Sequence, residues 1–222
     1  MDSTSPAVTA LLREAAEWRL LGLLFEYPTG SWRAQVEALA RDFDGGALPG
    51  LAAAALECAS EGLHIALFGP GGRVPVREVT YRGGVQFGYL MAELAACYDA
   101  FGYSPSTEES SDHLAVEAGF VAYLKMKQAF ALASDDGEHA AIASEAAETF
   151  VKEHLAILVE PVAGALEAYA PDYLIQAAAV LLRHAGPSPR SGYPLGADAG
   201  GDDSAEVTCG LSPADSSTSR HN

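Results

Sequence analysis

Residues 112–133 constrain the fold more than any other stretch of the chain. On a helix turning 100° per residue, Leu114, Val116, Phe120, Val121, Tyr123, Leu124 and Phe130 cover one wide side. Ala115, Ala118, Gly119, Ala122 and Ala129 form a strip of small residues opposite them. A helix that is apolar on nearly every side has to be surrounded by other elements. Its small-residue strip lets one neighbouring helix come unusually close. The segment closes at Ser134-Asp135-Asp136-Gly137. The chain is therefore predicted to be a helical assembly built around this element.

Helical periodicity continues through most of the sequence up to about Ala185. A first helix is expected after Ser5-Pro6, with Ser capping and Pro in the first turn, ending at Tyr27-Pro28. A second begins at Ser31, with Trp32, Val36, Leu39, Ala40 and Phe43 on one face, and stops at Asp44-Gly45-Gly46. Alanine-rich Leu51–Ser60 continues the pattern. The run Leu67-Phe68-Gly69-Pro70-Gly71-Gly72-Arg73-Val74-Pro75 breaks it as an extended, turn-rich loop. From Val85 to Phe101, the residues Phe87, Leu90, Met91, Leu94, Cys97, Tyr98 and Phe101 share an arc of about 120°. Cys97 lies on that stripe and reads as a buried, inert thiol.

A polar loop, 102–111, leads into the central helix, and further helices are expected over about 138–159, 161–169 and 172–184. No segment reads as paired strands. The fold class is all-α: one multi-helix domain over 1–186, its halves (about 1–101 and 112–186) joined by the 102–111 loop. Gly, Pro and Ser supply 16 of the 36 positions in 187–222, which contain almost no large apolar residues. That tail is expected to be disordered.

Composition narrows the function. Thirty acidic residues against 13 basic ones give a formal net charge of −17. Nucleic acid and stable insertion into an anionic membrane are disfavoured, since both need basic surface. A basic polypeptide is the partner such a charge favours. The tail carries five acids and two bases, so −14 of the charge belongs to residues 1–186. Cys58, Cys97 and Cys209 form no CxxC pair, which points to a reducing compartment. The longest apolar runs, Leu20–Phe25 and Ala177–Leu182, fall far short of the roughly 20 residues that span a bilayer. With no basic stretch at the start, a cytoplasmic location is expected. A monomer is the expected state, although exchange of helices across a loop such as 102–111 would give a dimer.

No catalytic constellation emerges. Gly69-Pro70-Gly71-Gly72-Arg73 lacks the Lys-Ser/Thr of a phosphate loop and the third glycine of a dinucleotide fingerprint. No Gly-x-Ser-x-Gly occurs. A carboxylate-bridged metal pair needs two Glu-x-x-His motifs and two further Glu, and Glu61-Gly62-Leu63-His64 is the single match. The alternative reading, a helical carboxylate/His protein binding a metal or small ligand, requires Glu61, His64, Glu117, Glu145 and Glu148 to converge. No enzyme activity and no cofactor are expected.

One polar cluster stands out. His113 and Glu117 are four residues apart and share the middle of the wide apolar side, while Asp112 lies where a short carboxylate can cap the helix. Two readings stay open from spacing: a cap with a satisfied Glu–His hydrogen bond, or a polar anchor lining a groove between the helical halves.

At these residues the sequence resembles the TorD/DmsD/NarJ family of maturation chaperones for molybdenum-containing oxidoreductases. Leu20-Leu21-Gly22-Leu23-Leu24-Phe25-Glu26-Tyr27-Pro28 is similar to the family's leading helix with its aromatic-Pro end. Leu67-Phe68-Gly69-Pro70, followed by Val74-Pro75-Val76-Arg77-Glu78 and Tyr81, resembles its Leu-Phe loop and Pro-x-x-Glu-Ser stretch. Leu94-Ala95-Ala96-Cys97-Tyr98, Phe101-Gly102, Asp112-His113-Leu114 and Phe120-Val121-Ala122-Tyr123-Leu124 resemble its helix ending in Phe-Gly and its Asp-His helix start. The chain departs from the pattern at Ser110, His64 and Val79, where a proline, an aromatic residue and a serine are usual.

The resemblance covers about residues 11–185. It implies an all-helical, non-catalytic chaperone that holds the apo catalytic subunit of a molybdopterin enzyme, through a twin-arginine leader or N-terminal region, until cofactor insertion. It implies client contacts at Leu67, Phe68, Pro75, Asp112 and His113. Helical geometry adds Glu117.

Overall fold

The computed structural model of the chain describes residues 5–187, and over them the secondary structure is helical apart from one isolated antiparallel bridge. The expectation for the tail falls, beyond Pro187, outside the described residues. α1 spans Pro6–Leu23, α2 Trp32–Ala40, α3 Leu48–Cys58, α4 Glu61–Phe68 and α5 Phe87–Phe101. α6 spans Leu114–Ala133, α7 Gly137–Phe150, α8 Ala156–Tyr169 and α9 Asp172–Ala185. A 3₁₀ turn occupies Glu78–Thr80, and a π-helical turn, Val151–Leu155, runs straight from α7 into α8.

The 112–133 segment is the central helix that its pattern demands. α1 lies along it in the most extensive helix pairing of the fold, and α7 packs on another side. The small-residue strip meets Gly22 of α1. A Cβ on Gly22 would sit 3.1 Å from the Ala115 carbonyl oxygen and 3.3 Å from the Ala118 Cβ. Gly22→Leu forces these helices apart and is expected to cost about 3 kcal/mol, read as a lower urea midpoint at unchanged slope. A loss below about 1 kcal/mol in that titration would mean the α1–α6 contact is not close-packed.

Several boundaries differ from the periodic pattern, each for a local reason. α1 stops at Leu23, because the Phe25 and Glu26 N–H groups tighten into bonds to the carbonyls three residues back ahead of Pro28, and Trp32 Nε1 donates to the Leu23 carbonyl at 2.7 Å. Ser60 accepts from the Leu63 N–H at 3.2 Å and starts a separate helix, α4, bent by 103° from α3. Periodicity alone puts the break before Pro161, but Pro161 sits inside α8 and the irregularity is the π-helical turn before it. α6 begins at Leu114 and not at Asp112.

Phe130 is a correction too. It is 76 % exposed, with Met126 and Leu132 also at the surface, while Ala129 and Ala131 are buried: at this end α6 turns its small residues to its neighbours. Phe87 is exposed and Cys97 half-buried, so the α5 core stripe reduces to Leu90, Leu94 and Tyr98. Among the described residues no single helix is long and apolar enough to cross a membrane.

Candidate functional site

Between α4 and α5 the chain forms a strap, residues 69–82, that crosses the N-terminal end of α6. Its first turn requires glycine, since a Cβ on Gly72 would lie 2.4 Å from the Leu67 carbonyl oxygen. Val74 and Val76 are buried and pin it to the core. A short antiparallel bridge then ties it to α6: the Glu78 N–H donates to the Asp112 carbonyl at 2.8 Å, and the Leu114 N–H donates to the Val76 carbonyl at 2.9 Å.

Asp112 anchors that strap instead of capping the helix. Its carboxylate is 0 % exposed. Oδ1 accepts from Arg77 Nε at 2.9 Å, Arg77 Nη2 at 2.8 Å and the Ser110 hydroxyl at 2.6 Å. Oδ2 accepts from the Val79 N–H at 3.4 Å. The capping role falls to His113, whose Nδ1 accepts from the Ala115 N–H at 3.2 Å. That bond places the ring proton on Nε2.

The His113–Glu117 hydrogen bond left open by the spacing is not formed. Glu117 is 0 % exposed, and neither carboxyl oxygen has a hydrogen-bond partner of ordinary geometry among the described residues. Its neighbour is Glu78. Burial first, and then the Glu78 carboxyl, push the Glu117 acid well above the usual carboxylate range, which favours its protonated form. Glu78 itself accepts from Arg82 Nε and lies 3.0 Å from His154 Nδ1 on the π-helical turn. Arg82 also donates to the Glu153 carbonyl at 2.6 Å. The strap is thus latched to α6 through Arg77–Asp112 and to the π turn through Arg82.

On the other side of α6, the three segments of the family pattern meet. Leu67 is buried, and Phe68 is half-buried with its ring 5.8 Å from Phe25 and 5.1 Å from His64. His64 stands edge-on to Tyr27 at 5.1 Å. Pro75 is half-buried on the strap, and Tyr81 donates to its carbonyl at 2.7 Å.

Glu109, a loop residue that the sequence pattern did not single out, lies between two imidazoles. Its carboxylate is 3.8 Å from His64 Nε2 and 3.7 Å from His113 Nε2, and it accepts from the Tyr27 N–H at 3.3 Å. Burial lowers His64 to about 4 and His113 to about 3, and raises Glu109. Both imidazoles are neutral near pH 7. The i, i+4 spacing of Glu109 to His113 was the available signal, hidden because 102–111 reads as a loop.

The metal alternative finds no convergence. Glu61 accepts from the Tyr27 hydroxyl, Glu117 is sealed beside Glu78, and Glu145 and Glu148 stand on the exposed side of α7. Among the described residues, no group of three or more His, Cys, Asp or Glu is arranged to hold a metal ion.

Open space lies elsewhere, between α5 and α7 over α6. A cleft of about 470 Å³ is lined by Cys97, Phe101, Phe120, Ala146, Phe150 and His154, among others. A second of about 470 Å³, bordered by Lys127, Phe130, Ala131 and His139, shares Ala100, Phe101 and Ile142 with it. The two form one apolar groove. The Cys97 thiol in its wall is raised by burial and then by Glu93, Glu153 and Glu78, which keeps it protonated and unreactive.

In comparison with protein families, the model of the nitrate reductase delta subunit family matches residues 31–161. No curated protein and no solved structure gives a significant match. The matched span runs from α2 into α8 and includes the strap, Asp112-His113 and both walls of the groove. Covering more than half of the chain, with the strap, Asp112-His113 and both walls of the groove inside it, that match means the chain belongs to the nitrate reductase delta subunit family, the NarJ/TorD-like chaperones of molybdoenzyme maturation.

Proposed function

We propose that this chain holds the apo catalytic subunit of a molybdopterin-containing oxidoreductase in the cytoplasm until its cofactor is inserted, by binding an N-terminal or leader segment of that client in the α5–α7 groove. The supporting observation is the groove itself: two contiguous clefts floored by Phe101, Phe120 and Phe150. Each Leu- or Phe-sized anchor buried there contributes about 1.5–3 kcal/mol. Three or four of them offset the cost of ordering a flexible segment, leaving reversible binding. A chaperone must release its client, so moderate affinity suits the role. Binding of this kind needs no catalytic group of the chaperone.

The residues carried over from the family, with Glu117 added from helical geometry, divide by depth. Phe68 and Pro75 keep exposed surface for a direct contact. Leu67, Asp112, His113 and Glu117 are buried and act by holding the strap, which through Arg82 braces Glu153 and His154 in the groove wall.

Co-purification from the native cytoplasm, followed by mass spectrometry, is expected to recover a molybdoenzyme catalytic subunit. Ile142→Arg puts a charge in mid-groove at a side chain already 47 % exposed, so the fold tolerates it. Client recovery is expected to drop at least tenfold. Full recovery with the variant would move the binding site off the groove.

A further inference from the structure

The two ends of the groove differ in charge. On the π-turn side its rim carries Glu145 and Glu153. On the α6–α7 hairpin side it carries Lys127, Asp136 and His139. Asp136 is already used: it accepts from the His139 N–H at 3.1 Å and pairs with His139 Nδ1 at 2.7 Å. Lys127 Nζ sits 5.3 Å over the Tyr123 ring and has no carboxylate partner among the described residues. The side chains of Glu145 and Glu153 likewise have no cationic partner among them. The π-turn cleft thus presents two uncompensated acids, Glu153 at its far end and Glu145 along its wall, and the hairpin cleft an uncompensated ammonium, with Ala100, Phe101 and Ile142 between.

The length is defined as well. From His139 to Glu153 the wall rises about 1.5 Å per residue, or roughly 20 Å in all. That accommodates about 14 residues of helix, or about six of extended chain.

Resting on the groove reading above, we infer that the groove selects the polarity of its occupant: a client segment with basic residues at one end and an apolar body lies with the basic end beside Glu145 and Glu153. Its non-basic end reaches Lys127. Exposed charges at the ends of an apolar contact contribute little affinity but penalise the reversed alignment, which places like charges together. A chaperone that fixes alignment presents the client's remaining chain on one side only, clear of the strap.

The test uses the full chain, isotope-labelled for NMR, and a synthetic 14-residue amphipathic peptide of Leu, Ala and Phe with two arginines at one end. A nitroxide placed at the arginine end is expected to broaden the amides of Glu145–Glu153. Placed at the other end, it is expected to broaden Lys127 and His139. The triple variant Glu145→Lys, Glu153→Lys, Lys127→Glu should exchange the two patterns, and Glu145→Lys with Glu153→Lys alone should weaken the peptide about tenfold. Broadening of both ends of the groove from either label would overturn the polarity assignment while leaving the groove as the binding site. Broadening confined to the His64–Phe68 face, or no binding by either labelled peptide, would overturn the groove reading itself.

Discussion

Asp112→Ala is expected to remove about 3–5 kcal/mol of stability, a large share of what a domain of this size possesses. The carboxylate is sealed from solvent and accepts from Arg77, Ser110 and the Val79 N–H. Alanine leaves the guanidinium partly buried with no anion and two further donors with no acceptor. The damage falls on the strap, because the Arg77 and Ser110 bonds are what draw residues 77–79 onto the start of α6. Hydrogen exchange at the Glu78 and Leu114 amides, which close the bridge, should accelerate in step with the loss. Asp112→Asn keeps the shape and one acceptor oxygen, so its loss should be about 1–2 kcal/mol. If alanine and asparagine cost the same small amount in a urea titration, the carboxylate does not hold the strap. The same variant also separates two roles for the Asp-His pair. A client contact made directly by Asp112 would weaken binding without any change in strap exchange, whereas a bracing role moves both together.

What could be read from the sequence was whatever depends on one helix at a time. The 112–133 pattern establishes a central helix, and its small-residue strip foretells the close approach that Gly22 completes. Leu90, Leu94 and Tyr98 fall on the buried side of α5 as their spacing requires. Periodicity assigns a face, however, and not what covers it. Phe130 lies on the apolar side of α6 yet is exposed, since the neighbours at that end cover Ala129 and Ala131 instead.

Ion pairs between distant segments were beyond reach for the same reason. Arg77 meets Asp112 across 35 positions, and Arg82 meets the π turn across 71. Nothing local in the strap announces either. The family pattern picks out Asp112-His113 as client contacts, but depth is invisible in a motif. Only the packing shows that Asp112, His113 and Glu117 face inward while the groove opens between α5 and α7.

Stability should fall steeply as pH drops from 6.5 towards 3, and His113 is the residue to carry most of it. The folded chain holds its imidazole at about 3, chiefly through burial, with His64 and Arg77 opposing and Asp112 favouring its protonation. The unfolded chain titrates near 6.5. Between those values the unfolded state binds the extra proton, so each step down in pH favours unfolding. The whole window is worth on the order of 4–5 kcal/mol, of which about 2 kcal/mol is gone by pH 5. His64, lowered by burial to about 4, acts in the same direction over 4–6.5. Glu117 works at the opposite end: its raised folded value means its contribution is complete below the ordinary carboxylate range and is lost as pH climbs through that folded value.

His113→Asn isolates the first term. Its amide oxygen can accept the Ala115 N–H that the imidazole now accepts, so the α6 cap survives. At pH 7.5 the variant should be somewhat less stable than the native chain, from lost packing. Between pH 7.5 and 4.5 it should lose about 2–3 kcal/mol less than the native chain does, because every other acid-sensitive group is common to both and cancels in the comparison. Equal losses for the two proteins over that range would show that the buried imidazole is not what acid attacks. The Glu109 carboxylate would then be the group to examine, since it faces both His64 and His113 at under 4 Å.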